Sequence, residues 1–414
     1  MTNNNPPQNY KNSEIGIIPQ DWEVRILKDL SEKIMVGIAS AATHAYRERG
    51  IVMFRNQNIK SNHLDDNDIL HISEEYEQIF KGKRLKSGDL LTARTGYPGT
   101  TCIIPEKYEN AQSFTTLITR PNTKAIESDY LCFYMNSEKG QAFFETNQIG
   151  GGQKNVNAGT LKTMPIPIPT KAEQTSIANA LSDADALISS LEKLIEKKRN
   201  IKQGAMQKLL QPKEGWEVKK LGEIGEFKNG INKGAEDFGY GYPFVNLMDV
   251  FGIRKISNNL HLDLINSTEI DRKVYDLKQG DVLFIRSSVK PEGVGLTCLI
   301  ERDIENTVFS GFIIRYRDYG TLSNEFKEYC FSTSYFRNRV IASSSVSANT
   351  NINQDSLKNL VLHYPKSKEE QTHIATILSD MDAEIEGLEA KLEKYRAIKL
   401  GMMQELLTGK TRLV

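Results

Sequence analysis

At 414 residues, 39% hydrophobic and 26% charged, the chain is long enough for two to three domains that each bury a core. Its 53 basic residues balance 53 acidic ones. This argues against an indiscriminate nucleic-acid binder and leaves only local basic patches, so the chain alone should hold DNA weakly. No apolar run approaches the roughly 20 residues of a membrane span. The polar start MTNNNPPQNYKNSEIG carries no apolar signal segment. A floppy lead-in and a cytoplasmic location are expected.

In chain order, a short amphipathic opening surrounds Trp22-Glu23-Val24 and recurs at Trp216-Glu217-Val218. A mixed α/β segment follows each opening. Gly88-Asp89-Leu-Leu-Thr-Ala-Arg94 and Gly280-Asp281-Val-Leu-Phe-Ile-Arg286 both read as a turn, a strand and a terminal arginine. Thr101–Ile104 and Thr297–Ile300 predict a second strand pair, and Asn155-Val-Asn157 matches Asn351-Ile-Asn353. Proline segments (165–169 and Pro365) are expected to stop a strand before each closing helix. Thr170 with Glu173, and Ser367 with Glu370, have capping-box spacing.

Beyond these caps, Leu378, Met381, Ile385, Leu388, Leu392 and Tyr395 follow heptad steps. Leu181, Ala184, Ile188, Leu191, Ile195 and Lys198 do the same in the first copy. Each stripe needs a partner, and the other copy supplies one. Two copies related by a two-fold axis pack antiparallel. The expected fold is therefore α/β, with two globular domains separated by two long antiparallel coiled-coil helices in an internal pseudo-two-fold repeat. The expected boundaries are a first domain over 1–169, a helix over 170–211, a second domain over 212–366 and a helix over 367–414. Cys102 with Cys298, and Cys132 with Cys330, lie in apolar stretches without CxxC spacing. They read as repeat-related buried thiols rather than a zinc site.

EQTSIANALSDAD at 173–185 returns as EQTHIATILSDMD at 370–382. Such a duplication suits a two-fold ligand that extends along a line, such as duplex DNA. Between the repeated landmarks the two copies differ, which points to two related domains recognising different things.

With IGIIPQDWEVRILKDL at 15–30, the two Gly-Asp strands, the two EQTxIAxxLSDxD helix starts and Gln404-Glu-Leu-Leu-Thr-Gly-Lys410-Thr-Arg-Leu, nearly the whole chain resembles the specificity subunit of type I restriction–modification enzymes. The resemblance implies two target-recognition domains, each reading half of a split double-stranded DNA site. It implies helices that space the domains and dock two methyltransferase (modification) subunits, with cleavage and translocation left to separate restriction subunits. One departure is Leu209-Leu-Gln-Pro212, which lacks the Thr-Gly-Lys that follows the second helix.

No catalytic constellation, metal-ligand spacing or cofactor loop stands out. Asn5-Pro6-Pro7-Gln8 lacks the aromatic residue that would stack on a flipped base. Arginine can bond guanine, and asparagine or glutamine adenine, in bidentate fashion, while lysine more often neutralises phosphate. Candidate DNA contacts in the first domain are Arg55, Asn56, Gln57, Lys60, Arg94, Thr95, Tyr97, Gln153, Lys154 and Asn155. Those in the second are Asn246, Arg286, Ser287, Ser288, Lys290, Asn349 and Asn351. Arg94 and Arg286 are equivalent, so holding the frame or a phosphate suits them as well as reading a base. The basic run Lys81, Lys83, Arg84 and Lys86 suits phosphate or plain solvation. Asp183, Asp185, Asp380 and Asp382 are candidates for contacting a modification subunit. The competing reading is a coiled-coil scaffold that joins two proteins and touches no DNA.

Overall fold

A computed structural model describes residues 7–148, 154–257 and 261–413. The chain divides into two compact units, residues 1–192 with 390–414, and residues 193–389. Both are mixed α/β. In the first, Thr101–Ile103, Leu90–Thr92, Leu117–Pro121 and Ser31–Val36 form an antiparallel sheet in that order. The second repeats the order with Thr297–Ile300, Val282–Ile285, Ile313–Asp318 and Gly225–Asn229, and adds Lys255–Ile256 in parallel at one edge. The central strands are buried along their whole length, which is why their sequences are mostly apolar.

The repeated Gly-Asp has a local cause. Gly88 and Gly280 take φ +82° and +84°, where a side chain is disfavoured. Asp89 accepts from the Lys86 amide (2.8 Å) and the Arg120 guanidinium (2.9 and 2.7 Å). Asp281 does the same with Lys278 (2.8 Å) and Arg317 (2.7 and 2.6 Å). Each aspartate closes the turn and ties it to the neighbouring strand, and the paired carboxylates raise both arginine pKa values.

Several expectations need correction. Tyr10–Ser13 pairs with Gly16–Pro19, so the lead-in is a hairpin from Tyr10 onward. Pro165–Ile168 does not stop a strand but forms one, antiparallel to Glu23–Ile26. A two-stranded sheet tolerates proline because half of each strand's amides face away from the partner. Cys132 and Cys330 are not equivalent. The helices Ser128–Asn136 and Asn324–Cys330 start, and are followed by the caps Ser137 and Thr333, at a spacing of 196, which sets Cys330 against Tyr134. All four thiols are free and buried, and burial pushes Cys102 and Cys298 up to about 12.

The long helices run Lys171–Leu209 and Lys368–Leu406. Thr170 and Ser367 accept from the Glu173 and Glu370 amides, both at 3.3 Å. The other half of each expected capping box is absent. Glu173 instead accepts from Trp22 Nε1 (3.0 Å) and Glu370 from Trp216 Nε1 (3.2 Å). The distant repeats Trp-Glu-Val and Glu-Gln-Thr are therefore two ends of one contact. The following glutamines complete it. Gln174 accepts from the Glu127 amide and donates to Pro169, and Gln371 does likewise with Ser323 and Pro365.

Within the first unit, the start of one helix lies antiparallel to the end of the other: Asp185 pairs with Lys399 and Glu192 with Arg396. Ile177 and Leu181 share its core with Met403, Leu406 and Leu407. Within the second unit, Lys198 pairs with Glu384 and Lys202 with Asp382, again antiparallel. Leu181, Leu191, Ile195, Leu378, Ile385 and Leu392 of the heptad stripes are buried, each contributing about 1.5–3 kcal/mol.

The Thr-Gly-Lys departure is explained inside the first unit. After the second long helix, Gly409 turns at φ +72° against Pro19 and Trp22, where a Cβ would meet the proline ring at 2.5 Å. This delivers Arg412 to Glu173 (2.6 and 2.9 Å) and Asp21 (2.9 and 2.8 Å).

Candidate DNA interface

In each unit, corresponding segments converge at one end of the central strand. After Ala93 and after Ile285 the backbone leaves the sheet, and it returns at Gly99 and Gly295, whose amides donate to Ala93 O (2.9 Å) and Ile285 O (2.7 Å). The intervening loop spans 94–98 in the first unit and 286–294 in the second. The asparagine segment closes beside it. The Val156 amide donates to Arg94 O (3.2 Å) and the Ile352 amide to Arg286 O (2.9 Å). The second asparagine of each Asn-x-Asn caps the next helix, Asn157 for Ala158–Lys162 and Asn353 for Gln354–Asn359. A turn from the smaller sheet supplies a third wall, opened by Arg55 in one unit and Asn246 in the other. Their amides donate to Asn58 (2.9 Å) and Asp249 (2.7 Å).

Several candidates have partners within their own unit. Arg55 and Gln57 both bind Asp68 (2.8 and 2.7 Å), holding a turn. Asn56 accepts from the Arg94 amide (2.7 Å) and donates to Thr115 (3.3 Å), so it sets the loop's origin. Lys60 lies 3.9 Å from Asp65 on the surface. Asn246 caps Leu247–Val250 through its own side chain. In the basic run, Lys83 donates to Gly37 O and Arg84 grips Glu77, whose pKa this lowers.

Others stand at the convergence. Arg94 is half-buried with Thr95 beside it, and Tyr97 is exposed at the loop tip. Lys154 is exposed and Asn155 half-buried next to them, while Gln153 lies outside the described residues. In the second unit, Arg286 Nη1 donates to Gly311 O (3.2 Å). Ser287 and Ser288 pair with Asn351 and Thr350, and Ser345–Val346 forms the third strand of that small sheet. Lys290 and Asn349 are exposed. The equivalent arginines thus differ, since only Arg286 is tied back to a carbonyl among the described residues.

Sequence reasoning missed the apolar surface beside the second loop. Met248, Phe251, Val289 and Phe312 are exposed. The Arg286 amide donates to Phe312 O (2.9 Å), and a Cβ on Gly293 would meet the Phe251 ring at 3.2 Å. The available signal was a valine and a phenylalanine interrupting serine- and glycine-rich segments.

The helix aspartates divide. Asp185 and Asp382 are held by Lys399 and Lys202, and Asp382 also by Arg254 and Tyr329. These ammonium groups also lie over equivalent rings, Phe133 (5.6 Å) and Tyr329 (5.8 Å). Both aspartates join elements within their units. Asp183 and Asp380 remain exposed.

Among the described residues, no group of histidine, cysteine and acidic side chains is arranged to hold a metal, and no helix is long and apolar enough to cross a membrane. The model for the type I restriction modification DNA specificity domain matches twice, over residues 19–203 and 213–394. The putative MjaX specificity subunit of Methanocaldococcus jannaschii is 27% identical over 98% of this chain and 97% of its own length. The EcoKI specificity subunit of Escherichia coli K12 is 20% identical over 95% of this chain and 89% of its own length. A chain solved in a study of complex assembly and conformational transition of the type I R-M system superposes with TM-score 0.60 at 14% identity, covering 95% of this chain and 99% of that one. The crystal structure of the S subunit from M. genitalium gives 0.56 at 15% identity, covering 93% and 96%. With two specificity domains filling most of its length, the chain belongs to the DNA-specificity family of type I restriction–modification systems.

Proposed function

We propose that each unit reads one half of a bipartite DNA site and that the chain itself catalyses nothing. One observation carries this reading. Corresponding segments converge in both units on the same hydrogen-bonded frame, while the side chains they present differ. A shared frame with unlike loops suits one chain that reads two unlike half-sites. Bases are read by Arg94, Thr95, Tyr97, Lys154 and Asn155 in the first unit, and by the 286–290 loop with Asn349 and Asn351 in the second. The long helices dock two methyltransferase subunits, with exposed Asp183 and Asp380 on the docking faces, and restriction subunits join the full assembly. The balanced charge of the chain leaves much of the affinity for DNA to those partners.

The test is methylation mapping in cells that carry the system, before and after residues 217–365 are exchanged for the corresponding segment of a relative. One half of the methylated site should change while the other half stays. A change in both halves would sink the two-module reading. The isolated chain should bind duplex DNA poorly at physiological salt, and tight, sequence-selective binding without partners would contradict the division of labour.

A further inference from the structure

Among the described residues, the two most exposed large apolar side chains are Tyr97 (84%) and Val289 (82%). They sit on the same loop of the two units. The frame beneath each loop is also shared. Gly99 and Gly295 turn at φ +97° and +62°, and a Cβ at either would strike the next layer at 2.4 Å, on Phe144 in one unit and Val340 in the other. One helical turn earlier, Gln141 donates to Gly99 O (3.2 Å), and Arg337 donates to Val294 O (2.6 Å) and Glu292 O (2.9 Å). Glycine, helix contact and side-chain clamp all recur at a spacing of 196. Each loop therefore has a fixed base, a basic residue at its origin and an apolar tip in solvent. An isolated exposed apolar residue needs no explanation, but two at equivalent tips of otherwise unlike loops do.

Resting on the half-site reading above, we propose that Tyr97 and Val289 are matched apolar fingertips that touch base pairs directly, each within its own half-site. Duplex DNA is the favoured occupant because Arg94 opens the first loop, and Arg286 and Lys290 stand three residues before and one after Val289 on the second. The side chains define what each tip meets. The tyrosine ring stacks on a base face at an opened step. The valine methyls pack on the C5-methyl of a thymine in the major groove.

The experiment uses the complex with modification subunits and a duplex carrying its mapped site. Tyr97→Ala should weaken binding about tenfold, while Tyr97→Phe retains it. With 2-aminopurine scanned through the first half-site, one position should brighten with the native complex and with Tyr97→Phe, but not with Tyr97→Ala. Val289→Ala should weaken binding about tenfold. Replacing thymines of the second half-site one at a time by deoxyuridine should reveal one position that weakens the native complex and has no further effect on Val289→Ala. The proposal is overturned by unchanged affinity in both alanine variants, by loss with Tyr97→Phe equal to that with Tyr97→Ala, or by a second half-site without a methyl-sensitive thymine. Failure of either variant to assemble with modification subunits would overturn it in favour of protein docking. The segment exchange fails separately: if it still moves only one half-site while these variants bind normally, the fingertips are wrong and the two-module reading stands.

Discussion

Glu173→Gln and Glu370→Gln are the same substitution at equivalent positions of one repeat, yet the structure assigns them very different costs. Glu173 is 1% exposed and accepts from Trp22 Nε1 and from two nitrogens of Arg412. A glutamine there keeps one acceptor for the indole but turns its NH2 toward the guanidinium, which leaves a buried donor unmet and deletes an ion pair. Breaking a fully buried pair costs about 3–5 kcal/mol. Arg412 keeps some solvent exposure and its bonds to Asp21, so about 2–3 kcal/mol is expected for Glu173→Gln. Glu370 is exposed and accepts one hydrogen bond, from half-buried Trp216, so its replacement should cost under about 1 kcal/mol. The two tryptophans fall one in each unit, which permits a direct assay. Urea unfolding followed by Trp22 emission in a Trp216→Phe background should show a midpoint lowered by about 1 M for Glu173→Gln, taking m at about 2–3 kcal/mol/M. Glu370→Gln, followed by circular dichroism, should barely move. A Glu173→Gln shift no larger than that of Glu370→Gln would refute the argument that the C-terminal Arg412 locks the first unit.

Burial opposes the charge on Asp382, but Arg254 and Lys202 outweigh it and hold the carboxyl below its ordinary value. The stability this adds is present above about pH 4 and drains as pH falls through that value toward the lower folded one. Asp382→Asn should therefore flatten the acid limb of second-unit stability measured by urea unfolding from pH 2 to 7. Gly204 and Gly401 lie within the long helices with open space around an added Cβ. Alanine at either should raise stability by about 0.5–1 kcal/mol, seen as a higher thermal midpoint. Gly99→Ala meets both a left-handed backbone and the Phe144 ring. It should cost about 2 kcal/mol by the same measurement and loosen the loop that carries Tyr97.

Much of this architecture was legible because it rests on periodicity and on repetition. The heptad stripes, the Gly-Asp turns, the paired strands and the order of elements depend on local rules that a duplicated sequence states twice. The Trp-to-Glu contact was visible only as two unrelated repeats, since its partners lie 151 and 154 residues apart. The candidate site was legible as loops and much less so as residues. The loop that starts at Arg94 is hydrogen-bonded to the segment that ends at Val156, while the side chains of Arg55, Gln57 and Asn246 bind within their own turns. Composition does not distinguish a polar side chain that binds its own backbone from one that faces a ligand. The sequence by itself determined the element order, the duplication and the family, since these follow from spacing along one dimension. Only the tertiary structure decided which charges are already neutralised, why Arg412 follows the second helix alone, and that Tyr97 and Val289 stand on equivalent loops. Each of those depends on which distant segments fold against each other.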